Sequence, residues 1–295
     1  MNRSTSPMVS WLNSKHHHSS IKMSKLAAVI IDTYPNKHLA SIAIHMALQL
    51  PNLGKIYTFS DEPFFDGATF VKIPKLSSNN DYGSVIFNVI PEHVSADHFF
   101  IIQWDGFPLF PQNWSDEFLK YDYIGAPLGG WVGNGGFSLR SQKLIKAMKI
   151  LGVGIDLSNP EDQPEDGIIC TKFRNQLESQ GIQFAPLNIA EKFSFQAGTL
   201  RSDMLGFHSA GNLPFFIPES ELVKVTDQII ERTGQPLMML RYLQACIEAD
   251  YFQLFSESVR NYQAKPNLMK AIEFELKQNP NSELPGFIHQ LNLQS

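Results

Sequence analysis

Cysteine is nearly absent. The two in 295 residues, Cys170 and Cys246, stand far apart, which excludes a disulfide framework or a cysteine-rich zinc cluster. Long apolar runs are missing as well. No stretch approaches the ~20 apolar residues that span a bilayer, and the N-terminal segment MNRSTSPMVSWLNSKHHHSSIKM lacks the continuous apolar core of a secretory signal. Basic charge is not in excess. A formal net charge of −5 and a pI near 6.0 give no general attraction to nucleic acid or anionic lipid. A cytoplasmic protein in a reducing compartment is expected, with no nucleic-acid partner and no membrane span. Asn113-Trp114-Ser115 then matches the glycosylation pattern only formally, and no repeat of ~20–50 residues is convincing.

What is present is the material of a packed core: 43% hydrophobic residues, 12% aromatic, 22 of them phenylalanine. Residues 1–22 are rich in Ser, Asn and His and read as a flexible tail, in which His16, His17 and His18 are more naturally solvated than metal-bound. From residue 23 the pattern alternates. LAAVIID is a short apolar run closed by an acid, HLASIAIHMALQL repeats apolar residues at helical spacing, and KIYTFSDEP and FFIIQWDGF read as further buried strands. Such units build an α/β, Rossmann-like, mostly parallel mixed sheet flanked by helices, assigned to residues 23–215. GIICTKFRNQLESQGI reads as an amphipathic helix with Cys170 packed inward. Residues 216–295 read as a C-terminal helical section whose Met238, Met239, Leu240 and Leu243 belong to its core, with a packing or partner-docking role.

In open parallel sheets, ligands bind beyond the carboxyl ends of the strands. Asp32, Asp61 and Asp105 all fall there, although an acid after a strand is also an ordinary turn former. WVGNGGFSLRS places Gly133, Gly135 and Gly136 around Asn134, which allows either a tight turn or close approach of a ligand to the main chain. Glu165-Asp166 follow Pro164, where carboxylates also complement a helix N-terminus. His208 closes the series in GFH.

The blocks QWDGF, YDYIGAP, GNGGFSLRS, PED and GFH together resemble a family of uncharacterised glycosyltransferase-like proteins grouped as a domain of unknown function, over residues 25–210. Their order is also similar to that of the GT-A nucleotide-sugar transferases, β-1,4-galactosyltransferase among them. In those enzymes a metal-binding DxD strand end, a Gly-rich substrate loop, an xED acid pair and a late metal-ligand histidine recur in that order. The resemblance implies a GT-A-like fold and a metal-dependent, inverting transferase moving a sugar from a UDP-linked donor to a carbohydrate or other hydroxyl acceptor.

By the same resemblance Asp105 and His208 hold Mn2+ or Mg2+, Asp166 is the general base and Glu165 orients it. Asn134, Gly135 and Gly136 bind sugar hydroxyls; Asp32, with Thr33 beside it, and Asp61 contact the donor's ribose or base; and Arg140 pairs with phosphate or starts a helix. One departure stands out. Gln103 occupies the donor-site position of the first DxD aspartate, which favours as an alternative a non-catalytic sugar- or nucleotide-binding relative. A sugar nucleotidyltransferase, a third reading, expects a glycine-rich phosphate loop after the first strand, and DTYPNKH has no glycine.

Overall fold

The computed structural model describes residues 26–263 except 129–130, 157, 160, 198–200 and 234–235, together with 270, 274 and 277–278. The expected tail, with His16–His18, lies outside the described residues, as does the expected helix PNLMKAIEFELKQN apart from those last four positions. The strands in chain order are β1 (Leu26–Ile31), β2 (Leu53–Ser60), β3 (Thr69–Lys72), β4 (His98–Ile102), β5 (Gly106–Pro108), β6 (Tyr123–Ile124), β7 (Pro127–Leu128), β8 (Trp131–Val132), β9 (Ser138–Ser141), β10 (Ser194–Phe195) and β11 (Gly206–His208).

Six of them form one sheet in the order β3-β2-β1-β4-β9-β6. The first four run parallel, while β9 joins β4 and β6 antiparallel. This is the mixed, mostly parallel α/β sheet expected from the alternating pattern. All six residues of β1 are buried, because helices cover both faces of a parallel sheet, and that is why LAAVII lacks a polar alternation. The helix His38–Ala47 turns Leu39, Ile42, Ala43 and Met46 inward at the spacing of one helical face. Phe99 and Ile101 of β4 join a core with Val29, Phe59, Leu144 and Met148. Phe100, next in the alternation, stacks on Phe137 and Phe193 at centroid distances of 5.9 and 6.1 Å.

The expected amphipathic helix after Asp166 is broken. A π-helical turn spans Ile168–Lys172, and a separate helix runs Arg174–Ser179. Cys170 is buried and free, as is Cys246. The described residues fall into two compact units, one ending at His208 and the other beginning at Ser209. The second unit is helical, with Thr226–Thr233, Pro236–Glu248 and Phe252–Gln263 as its longer helices and Met239, Leu240 and Leu243 buried.

Within the first unit the most heavily buried charge is Arg140, in the middle of β9 and fully enclosed. Its Nη2 donates to Glu165 Oε1 at 2.7 Å, and its Nε to Ser138 Oγ at 3.0 Å. Burial alone would lower the guanidinium's pKa, but the Glu165 carboxylate more than offsets it, so Arg140 is held above its ordinary value. Desolvation pushes the Glu165 carboxyl up while Arg140 pulls it down. Each member makes the other tolerable. Glu165→Leu is expected to cost about 3–5 kcal/mol, because it strands a buried guanidinium. The thermal midpoint should fall by several degrees or more. The double variant Arg140→Met/Glu165→Leu, which removes both charges, should recover most of that loss in the same thermal unfolding assay; a double variant no more stable than Glu165→Leu would contradict the assignment.

Candidate active site

The tetrapeptide QWDG does not continue β4. Gln103 and Gly106 exchange backbone hydrogen bonds of 2.7 and 3.1 Å, closing a two-residue hairpin with Trp104 and Asp105 at its tip. The returning strand, β5, pairs antiparallel with β11, and His208 lies directly opposite Gly106. Strand pairing therefore delivers His208 to Gln103, 105 positions away in sequence. His208 Nε2 is 3.2 Å from Gln103 Oε1 and 3.8 Å from Asp105 Oδ1, while Nδ1 is 2.9 Å from Gln196 Oε1. Gln103 Nε2 donates in turn to the Tyr82 hydroxyl at 2.9 Å. Asp105 is only 8% exposed, and its Oδ1 is buried without a hydrogen-bond partner. A buried carboxylate oxygen in that state is costly unless something cationic meets it.

The glycine loop packs onto the same histidine. A Cβ on Gly136 would stand 2.1 Å from His208 Nε2 and 2.6 Å from Gln103 Oε1, so only glycine fits there. The Gly136 amide donates to Asn134 Oδ1 at 3.0 Å, and the Gly135 amide donates to Asp166 Oδ2 at 3.0 Å. Asp166 Oδ1 accepts from Gly167 N at 2.8 Å. Asp166 is half-buried, and each of its oxygens keeps a further lone pair for a hydroxyl. The carbonyl of Gly135 accepts from Ser138 Oγ at 2.9 Å and lies 3.4 Å from Arg140 Nη2. Loop, acid pair and arginine are one braced assembly.

A second cluster sits at the carboxyl ends of β1 and β2. Lys37 Nζ is 3.6 Å from Asp32 and 3.7 Å from Asp61, and it lies 5.3 Å from the centroid of the Phe64 ring. Asp32 Oδ1 accepts from the Tyr34 amide at 2.8 Å, and Thr33 Oγ1 accepts from the Leu76 amide at 3.0 Å.

Against the sequence expectations, Asp105, His208, Gln103 and Gly136 come together, with Asn134, Gly135, Asp166 and Glu165 behind them. Three placements differ. Arg140 neither faces the hairpin tip nor starts a helix, since it lies inside the sheet and Ser141 caps the helix Gln142–Leu151. Glu165 pairs with Arg140 rather than with its neighbour Asp166. The amides of Gly135 and Gly136 are engaged inside the protein. Tyr82, Gln196 and Lys37 were not singled out from the sequence. Only Lys37 carried a signal, as a basic residue in the turn after a strand that ends in an acid.

Residues 84–208 match the family described as Protein of unknown function (DUF5672). No curated protein matches the chain by sequence. Among solved structures, it is similar to the apo-form glycosyltransferase GlyE of Streptococcus pneumoniae TIGR4, at 14% identity and a TM-score of 0.37, over 70% of this chain and 50% of that one. It is also similar to the mannosyltransferase PcManGT of Pyrobaculum calidifontis, solved with GDP-Man and Mn2+, at 10% identity and a TM-score of 0.42, over 98% of this chain and 86% of that one. The chain thus spans half the length of GlyE. Among the described residues, no helix is long and apolar enough to cross a membrane.

Proposed function

We propose that this chain is a glycosyltransferase that moves a sugar from a nucleotide-sugar donor, UDP-linked, to an acceptor hydroxyl with inversion. The observation that carries the proposal is Asp105 Oδ1, buried and unpartnered 3.8 Å from His208 Nε2, at the carboxyl end of a parallel strand and beside the loop that braces Asp166.

The donor set fits a divalent cation. One carboxylate and one imidazole nitrogen, with the Gln103 amide oxygen adjacent, make an oxygen-rich set that accepts Mn2+, and Mg2+ less readily because of the histidine. Among the described residues, no three His, Cys, Asp or Glu side chains converge on such a point, so phosphate oxygens and water would complete the shell. When bound, the ion would supply Lewis-acid stabilisation of the charge on the departing diphosphate. Asp105 and His208 Nε2 would hold it, and Gln196, whose Oε1 lies 2.9 Å from His208 Nδ1, would fix the imidazole.

Asp166 takes the proton of the acceptor hydroxyl as that oxygen bonds to the anomeric carbon, and the bond from that carbon to the diphosphate oxygen breaks with the electron pair leaving on the nucleoside diphosphate. The Gly135 amide holds the Asp166 carboxylate in place through this step. Asp32, Lys37 and Asp61, at the ends of β1 and β2, are assigned to the nucleoside. Transfer is assigned to residues 23–215 and a docking role to residues 216–295. A second reading, a non-catalytic nucleotide or sugar binder, is favoured by one observation, Gln103 standing in place of an acid and tied to His208.

Two experiments decide. Thermal unfolding with Mn2+ and each of UDP, GDP, CMP and dTDP should give a metal-dependent rise of several degrees with UDP, since ligand at a hundred times Kd stabilises by ~2.7 kcal/mol. The rise should vanish in Asp105→Ala, and no rise with any nucleotide would overturn the transferase reading and leave only a sugar binder. Asp166→Asn should keep that shift and lower the rate of UDP release from UDP-sugars, in the presence of an acceptor, by about 10²–10⁴-fold. An unchanged rate would remove Asp166 as the base, and nucleotide binding without any turnover in the unmodified chain would favour the binder.

A further inference from the structure

Beside the braced loop lies an open groove of about 580 Å3 that no step above uses. Its volume falls within the roughly 300–1,000 Å3 of small-molecule sites. Trp131 forms one side. Trp131 is 38% exposed and its indole packs directly on Gly133, where an added Cβ would fall 1.7 Å from the ring. Val132, Pro186 and Leu187 add apolar wall, and Thr171, Arg174 and Asn175 supply hydroxyl, guanidinium and amide groups.

The position is as telling as the lining. Trp131 and Val132 lead directly into the loop whose Gly135 amide grips Asp166. Cys170 and Thr171, at the groove's inner side, follow Asp166 by about one helical turn on the same segment. The groove is therefore framed by β8 and the π-helical turn, the two segments that continue from the glycine loop and from Asp166.

We propose that this groove is the acceptor subsite and that its occupant is a neutral saccharide, one pyranose face stacked on Trp131 and its hydroxyl edge turned to Thr171, Arg174 and Asn175. This rests on the transferase reading for its role, not for its chemistry. A flat exposed indole complements the C–H face of a pyranose, while hydroxyl and amide groups match its edge. Charge argues against ionic ligands. Among the described residues, no carboxylate lines the groove to receive a cation. The one guanidinium, Arg174, is already bonded to Glu178 at 3.0 Å and stacked 4.4 Å from the Phe184 centroid, which leaves little net charge for a polyanion. The packing of Trp131 on Gly133 and of Arg174 on Phe184 also holds these two side chains in place before any ligand arrives, which lowers the ordering cost of binding.

Saturation-transfer NMR on the full chain tests this with methyl β-glucoside, methyl β-galactoside, methyl α-mannoside, N-acetylglucosamine and their p-nitrophenyl glycosides as probes. At least one should receive saturation at its pyranose ring protons. Trp131→Ala should weaken that probe's Kd by about tenfold or more, the usual scale for truncating a buried tryptophan contact, and Trp131→Phe should restore part of it. Leu187→Arg, at an exposed position, fills the groove without touching the core and should abolish the signal even if Trp131→Ala folds poorly. Signals unchanged in Leu187→Arg, signals confined to the nitrophenyl group, or no ring signal from any probe would each overturn the proposal. The nucleotide shift with Mn2+ is read on the same samples. Saccharide binding without a nucleotide shift would leave the saccharide site standing and remove the transferase reading, whereas a nucleotide shift without saccharide binding would do the reverse.

Discussion

The ion pair between Arg140 and Glu165 is the constraint on which the site depends. A guanidinium cannot shed its proton to escape burial, so the carboxylate must stay beside it, and the two chain segments that carry them are locked together at 2.7 Å. One segment is β9, which leads out of the glycine loop. The other begins the short helix that presents Asp166. Because the same guanidinium reaches Ser138 and the Gly135 carbonyl, the loop's backbone is held at that carbonyl, and its Gly135 amide meets Asp166. An apolar pair could fill this volume at similar stability. It could not orient a backbone carbonyl and an amide on opposite sides of one glycine.

The second constraint is the hairpin at Gln103–Gly106. By turning the chain back immediately after β4, it places Asp105 at the sheet's carboxyl edge and creates the strand onto which β11 adds His208. Neither residue depends on a flexible loop for its position. Gln103 gains a structural role in this arrangement: its amide bridges Tyr82 and His208 Nε2 and withholds the negative charge an acid would bring, while Gln196 steadies the imidazole from Nδ1. Under the proposed function, a site built this way would hold a cation weakly by itself and gain strength when phosphate oxygens arrive.

The sheet was legible because its residues obey simple periodicities. LAAVII has no polar break and became a strand buried on both faces; HLASIAIHMA keeps a helical stripe and became the helix behind it. Asp105 was legible for the same reason, as the acid where an apolar run stops. The role of Arg140 was not. SLRS reads as an ordinary strand end, and nothing local marks the arginine as the most enclosed charge in the unit, since its counter-ion lies 25 positions away. Glu165 was hidden by its setting, because an acid after Pro164 is indistinguishable from a helix-start carboxylate until the tertiary partner is seen. The break at Phe173 escaped as well, because a π-helical turn shifts the helical register without a proline or glycine to announce it. Gly136 read correctly as a position of close approach, but its neighbour is a histidine of the protein.

Electron paramagnetic resonance of Mn2+ titrated with the full chain, alone and with UDP, tests the central claim most directly. Free aqueous Mn2+ gives a six-line signal that disappears on binding. With only Asp105 and His208 to hold it, the ion should stay free in the presence of protein alone and become bound when UDP is added, and His208→Ala should leave it no more bound than in UDP without protein. Tight Mn2+ binding without nucleotide, or a loss of signal beyond that of UDP alone that survives in His208→Ala, would contradict a cation shared between this carboxylate, this histidine and a nucleoside diphosphate.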